Sequence, residues 1–152
     1  MLQEHDAAPE FELSDQDGNI VRLADLRGRK VVLYFYPKDD TPGCTAQACG
    51  IRDSWDDFEQ RGAVVLGVSP DPESSHAKFK EKYGLPFTLL ADPEHSAADD
   101  YGVWVEKTNY GRTYWGVERS TFVIGPDGNV AKVMRNVKPD THAGDVLAAL
   151  PG

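Results

Sequence analysis

Four short, predominantly apolar runs constrain this chain more than any other feature: VVLYFY (31–36), AVVLGV (63–68), FTLL (87–90) and STFVIG (120–125). Each is rich in β-branched and aromatic residues, which reads as strand. None alternates apolar with polar, so each needs cover on both faces, as in a sheet packed between helices. The segments that follow the first three carry helix punctuation. Thr41-Pro42, Asp71-Pro72 and Asp92-Pro93 each set a capping residue before a proline, and Gly62, Gly84 and Gly102 stand at the far ends. Proline suits the first helical turn and glycine the left-handed residue that closes a helix, which predicts helices over 42–61, 72–83 and 93–101. A fourth helix is expected after Pro139.

Strands and helices that take turns along a chain make a parallel β-α-β core. Two hairpins complete the expected sheet. FELSDQDGNIVRL places Asp17-Gly18 between short strand-like runs, and STFVIGPDGNVAKVMR does the same with Gly125-Pro126-Asp127-Gly128. The fold class is therefore α/β, with a mixed central sheet flanked by helices. Its 152 residues, with no linker, repeat or low-complexity tract, fit a single domain spanning 1–152.

Composition narrows the partners. The net charge of -9, uninterrupted by any Lys/Arg cluster, repels phosphate backbones and anionic lipid, so neither nucleic acid nor membrane is expected. No apolar run approaches the ~20 residues of a bilayer span. MLQEHDAAPEFEL lacks the basic start and apolar stretch of a secretory signal. The expected compartment is the cytoplasm, where thiols are kept reduced.

Both cysteines lie in YPKDDTPGCTAQACGIRD, with four residues between them, a spacing that matches neither a redox CxxC pair nor a zinc knuckle. With Thr41 as N-cap, Cys44 falls in the first helical turn, where unpaired N–H groups and the helix dipole favour an anionic sulfur. The dipole supplies about 0.3 to 1 kcal/mol at an exposed site, too little to ionise most of a thiol at pH 7, so a nearby cation is required. The same cysteine also opens a stripe at 44, 48, 51, 55 and 58 (Cys, Ala, Ile, Trp, Phe) that a helix buries against a sheet. Packing and reactivity are both open on this pattern alone. Cys49 sits five residues on. Helical residues so spaced have Cα atoms roughly 8.6 Å apart, and a disulfide needs about 4.4 to 6.8 Å. Joining the two requires the helix to unwind, which Gly50 eases by about 1 kcal/mol relative to alanine.

YPKDDTPGCTAQAC resembles the active-site stretch of the peroxiredoxins, and the four-residue gap resembles their bacterioferritin comigratory protein, or PrxQ, subfamily. The likeness runs along the chain through VVLYFYP, the Pro37-xxx-Thr41-xx-Cys44 pattern, GIRD, VVLGVSPD, FTLLAD and ERSTFVIGPDG. It implies a thioredoxin-like fold with an N-terminal β-hairpin extension and thiol-dependent reduction of hydroperoxides without metal, haem or flavin. By the resemblance, Cys44 is the peroxidatic cysteine and Cys49 the resolving partner in an intramolecular disulfide. Thr41 orients the peroxide, Pro37 shields the pocket, and Arg119 of VERSTF is the cation that the helix start calls for. A thioredoxin-like dithiol is the implied reductant and a monomer the implied state. Two positions depart from the family pattern: Gln47 replaces the usual Glu, and Gly50 stands where Asp is common. Both are read as tuning rates.

Other constellations are weaker. His5, His76, His95 and His142 show no metal-ligand spacing, and there is no phosphate-binding glycine loop. Lys38 and Arg52, and the acidic group Asp53, Asp56, Asp57 and Glu59, read as solvated. Trp104, Tyr110, Tyr114 and Trp115 lie in or beside the polar stretch KTNYGRTYWG, read as core rim or a substrate-side loop, with core rim preferred. Two other functions compete with the peroxidase: a general disulfide oxidoreductase, which lacks its CxxC, and a redox sensor whose 44–50 segment changes partner on oxidation.

Overall fold

The computed structural model describes residues 2–150. The elements in order are β1 (Glu12–Asp15), β2 (Ile20–Arg22), a 3-10 turn (Leu23–Leu26), β3 (Lys30–Phe35), α1 (Pro42–Asp53), α2 (Trp55–Gln60), β4 (Ala63–Ser69), α3 (Glu73–Tyr83), β5 (Thr88–Ala91), α4 (Ser96–Asp100), β6 (Trp104–Asn109), β7 (Arg112–Val117), β8 (Ser120–Ile124), β9 (Val130–Met134) and α5 (His142–Ala149). Seven strands form one sheet in the order β2-β1-β5-β4-β3-β8-β9. β3, β4 and β5 run parallel, whereas β8 and β9 close one edge and β1 and β2 the other in antiparallel register. The mixed sheet and both hairpins are as the sequence predicts.

Unbroken apolarity has the expected physical cause. Successive side chains of a strand point to opposite faces. Val31, Leu33 and Phe35 enter one apolar cluster with Tyr101 and Phe122. Val32, Tyr34 and Tyr36 enter a second, on the other face, with Cys44, Ala48, Ile51 and Phe58. The helical stripe thus packs as its spacing requires, and the acidic side chains Asp53, Asp56, Asp57 and Glu59 are exposed.

Boundaries differ from expectation where proline and aspartate do something other than start a helix. The helix expected over 42–61 is interrupted at Ser54 (φ -106°, ψ 16°), leaving two helices. Asp71 is not the N-cap of α3; its carboxylate instead accepts from the Asp39 N–H at 2.8 Å and the Ser69 hydroxyl at 2.7 Å. Pro93 lies in a turn, and α4 starts only at Ser96. Asp92 still caps it, accepting from the N–H groups of Ala97 and Ala98 at 3.3 and 3.0 Å across that turn. Trp104 packs at the rim of the first cluster, as preferred, but Tyr110, Tyr114 and Trp115 are exposed, and KTNYGRTYWG is no loop. It forms most of a separate two-stranded hairpin, β6–β7, turned by Tyr110 (φ 52°) and Gly111 (φ 76°), a left-handed pair that matches strand twist.

Candidate active site

α1 begins at the end of the parallel core, where β3 hands over through Pro37–Asp40. Thr41 occupies the N-cap position (φ -92°, ψ 155°), Pro42 the first turn, and Cys44 follows at 2 % exposure. Thr41 does not cap in the expected way: its hydroxyl turns back and donates to the Lys38 carbonyl at 2.9 Å. The opening N–H groups of the helix, which have no acceptor within an α-helix, are therefore left for an anion rather than consumed by the threonine. Pro37, half-buried, lies four residues before Thr41.

Arg119, between β7 and β8, reaches this turn from 75 residues away in the chain. Its Nη2 donates to Cys44 Sγ at 3.5 Å, and its Nη1 to Gln47 Oε1 at 2.6 Å. Gln47 is one turn beyond Cys44 on the buried side of α1, so the guanidinium bridges two successive turns. Gly43 makes room for it. A Cβ at that position would lie 3.1 Å from Arg119 Nη2 and 3.5 Å from Pro139 Cγ. At a separation of about 3.5 to 4 Å and an effective dielectric of about 20, a full charge offers an anionic sulfur on the order of 4 kcal/mol. The helix dipole offers up to about 2 kcal/mol at a buried site. The arginine is the dominant stabiliser.

The groups behind the sulfur are neutral. His142 of α5 approaches Thr121 Oγ1 with its Nε2 at 2.6 Å, and burial, then the charge of Arg119, pushes it down to about 4. Burial first, then the neighbouring Cys44, raises the Tyr34 phenol well above its ordinary value. Lys107 of β6 carries charge within electrostatic reach of both Arg119 and Cys44; burial, then Arg119, lowers it.

Cys49 is a free thiol, partly exposed, on the same helix as the buried free thiol of Cys44. Gly50, next to it, faces Ala143 of α5, whose Cβ would stand 3.7 Å from an added methyl. Arg52 is partly exposed, as a surface role requires, but it is also tied down. Its Nη1 donates to the Tyr83 carbonyl at 2.7 Å and its Nε to Asp53 at 3.0 Å, tying the end of α1 to the end of α3. Lys38 is exposed, as expected.

The AhpC/TSA family profile matches residues 5–133. This chain belongs to the AhpC/TSA family. A putative peroxiredoxin Bcp of Coxiella burnetii is 49% identical over 143 residues, covering 94% of this chain and 95% of that one. Peroxiredoxin Bcp of Bacillus subtilis is 50% identical over 143 residues, covering 94% and 91%. Among solved structures, a mutant of Xylella fastidiosa PrxQ superposes with a TM-score of 0.92 at 36% identity, covering 97% of this chain and 94% of its own. Peroxiredoxin Q of Xanthomonas campestris gives 0.87 at 40% identity over 91% and 88%. The chain is a peroxiredoxin of the Bcp and PrxQ type with the thioredoxin-like fold, and hence a thiol-dependent peroxidase.

The structure brings Cys44, Arg119 and the Thr41 turn together and leaves Cys49 on the same helix without a bond to Cys44. Gln47, noted from sequence only as a departure, proves to hold Arg119. With glutamate there, the guanidinium would face a full counter-charge; the amide leaves its positive charge undivided for the sulfur. Lys107 and His142 went unrecognised, since neither stands in a motif.

Proposed function

We propose that Cys44 is the peroxidatic cysteine and Cys49 its resolving partner, with Thr41, Pro37 and Arg119 forming the peroxide pocket. The observation that carries this reading is the 3.5 Å contact of Arg119 Nη2 with Cys44 Sγ at the first turn of α1. In the first step the Cys44 thiolate attacks one peroxide oxygen. The S–O bond forms as the O–O bond breaks, and the departing oxygen takes a proton and leaves as water or an alcohol. The sulfur, now a sulfenic acid, is oxidised by two electrons. Thr41 orients the peroxide, Arg119 faces the charge that moves from sulfur to oxygen, and Pro37 limits water.

In the second step the Cys49 sulfur attacks the sulfenic sulfur, forming the disulfide and releasing water. A helix holds Cα atoms five residues apart at roughly 8.6 Å, so α1 must open between the two cysteines first. A dithiol of the thioredoxin class then attacks the disulfide, and its second thiol resolves the mixed disulfide, returning both cysteines to thiols. Relatives support the substrate class, since one solved structure concerns the alkyl peroxide reduction activity of the Xanthomonas campestris bacterioferritin comigratory protein. Hydrogen peroxide and organic hydroperoxides are the proposed substrates.

The working unit is proposed to be one single-domain monomer in the cytoplasm, with no nucleic-acid or membrane partner. The net charge of -9 supports the lack of nucleic-acid and anionic-membrane partners, and no helix of the described residues is long and apolar enough to cross a membrane. The decisive experiment mixes each reduced variant with hydrogen peroxide and maps the products by mass spectrometry. Cys44→Ser should be inert. Cys49→Ser should react once and accumulate sulfenic acid on Cys44. The opposite pattern exchanges the two roles.

A further inference from the structure

We propose that Asp39 and His76 form a buried ion pair that positions the Pro37–Thr41 loop, making both of them positioning residues for peroxide reduction. The inference rests on the assignment of Cys44 and Thr41 made above. The loop needs holding. Asp40, in the middle of it, sits at φ 58°, a left-handed conformation that L-residues other than glycine seldom adopt. No secondary structure supports residues 37–41, and Thr41's hydroxyl points back at Lys38 within the same loop. Where that hydroxyl lies therefore depends on what anchors Asp39 and Asp40.

Asp39 is the anchor. Its carboxylate accepts from the Tyr36 hydroxyl at 2.5 Å, the Ser75 hydroxyl at 2.7 Å and His76 Nδ1 at 2.7 Å, and its own N–H donates to Asp71 at 2.8 Å. Asp40 adds contacts to Lys82 at 2.8 Å and the Tyr83 hydroxyl at 2.6 Å. β3, α3 and the turn after β4 thus converge on two consecutive loop residues. Asp39, Asp71 and His76 also bring potential metal-ligating atoms within 4.8 Å of one another, but these hydrogen bonds already occupy them.

The protonation state follows from the partners. His76 Nε2 lies 2.9 Å from the Leu90 carbonyl oxygen, which only accepts, so that nitrogen carries a proton. Nδ1 faces a carboxylate that already accepts from two hydroxyls. Nδ1 therefore carries a proton as well, and the ring is an imidazolium with no exposed surface, paired with a side chain 3 % exposed. The other titratable groups facing the pair are Tyr36 just after β3, Asp71 from the turn after β4, Asp40 from the loop, and Lys78 and Lys82 from α3, which line the same surface cleft as Asp39 and Asp40. Among the described residues, no hydrogen bond of the network reaches Cys44 or Arg119. It acts on the peroxide only through the placing of Pro37 and Thr41.

Two measurements test this. In the reduced wild-type protein at pH 7, nitrogen-15 NMR of the imidazole should show protons on both His76 nitrogens. An unprotonated Nδ1 overturns the ion pair whatever the variants do. Asp39→Asn should slow the second-order reaction with hydrogen peroxide about tenfold, the scale expected when a positioning group shifts by a fraction of an ångström. Its reaction with iodoacetamide, which depends on the Cys44 thiolate but not on peroxide positioning, should change less than twofold. His76→Asn, which keeps a donor for Asp39, should retain more peroxide activity than His76→Leu. An unaltered peroxide rate in Asp39→Asn, or equal losses toward peroxide and iodoacetamide, overturns the positioning role. Turnover surviving in Cys44→Ser would instead overturn the site assignment itself, so the two failures are distinct.

Discussion

Replacing Arg119 by alanine removes the one guanidinium that contacts both Cys44 Sγ (3.5 Å) and Gln47 Oε1 (2.6 Å). The first contact governs rate. A charge at about 4 Å is worth on the order of 4 kcal/mol at an effective dielectric of about 20, and water filling the vacated space returns part of that. Removing a donor aimed at the charge of a reacting centre costs about 3 to 4 kcal/mol in other enzymes, a factor of about 10² to 10³. The second contact governs stability. Gln47 is fully buried, and its Oε1 would lose a charged donor worth about 1.5 to 3 kcal/mol. For a chain of this size that is a fall in melting temperature of about 4 to 10 °C. Stopped-flow fluorescence of the reduced protein, using its tryptophans, gives the second-order rate constant with hydrogen peroxide, and calorimetry gives the melting temperature. Arg119→Lys, which keeps the charge and loses the fork, should fall between wild type and alanine. A rate constant for Arg119→Ala within threefold of wild type, with the fold intact, would remove Arg119 from the chemistry.

Three further outcomes follow from the geometry. Gly43→Ala places a methyl 3.1 Å from Arg119 Nη2, so the guanidinium must retreat; peroxide reduction in stopped flow should slow about tenfold with the melting temperature near that of wild type. Gly50→Ala meets only an ordinary 3.7 Å contact with Ala143 and stabilises helix by about 1 kcal/mol, so formation of the disulfide should slow about fivefold while the first reaction with peroxide is unchanged. His142 is held down to about 4, against 6.5 in the unfolded chain, so below pH 6.5 the unfolded state binds the extra proton and the folded state does not. Its contribution is complete above pH 6.5 and is lost as pH falls toward 4, by about 3 kcal/mol at pH 4. Urea titrations of wild type and His142→Gln should diverge across that window, and parallel curves would show that His142 does not titrate as stated.

Much of this architecture was legible from local chemistry. VVLYFY and AVVLGV declare strands covered on both faces because nothing polar interrupts them, and the side chains of β3 do divide between two clusters. Cys44 was legible as a first-turn thiol, and the need for a cation followed from the weakness of a helix dipole. Which cation was not. Arg119 lies 75 residues away, and only the likeness of ERSTFVIGPDG to a known family pointed to it. The Asp39–His76 pair, 37 residues apart, left no trace at all, since neither residue falls in a periodic pattern. KTNYGRTYWG misled for a different reason. Its strands stand apart from the main sheet with mostly exposed side chains, so the apolar signal that marks other strands is absent, although Tyr110-Gly111 was a legible turn. Thr41 was placed correctly while its hydroxyl was not, because a rotamer is settled by the loop around it.

The interruption at Ser54 acquires meaning if Cys49 resolves Cys44 as proposed, since the helix between them then opens in each turnover. Ser54 joins α1 to α2, its N–H reaching the Gly50 and Ile51 carbonyls and its own carbonyl serving Asp57 and Phe58. Fraying that begins at Cys44 meets a firebreak there. Trp55, stacked on Phe58 and tilted against Phe87 with centroids 6.3 and 6.1 Å away, lies beyond that break. Opening between Cys44 and Cys49 draws Cys44 and Ala48 out of the second apolar cluster, and the break at Ser54 separates that loss from Phe58 on α2.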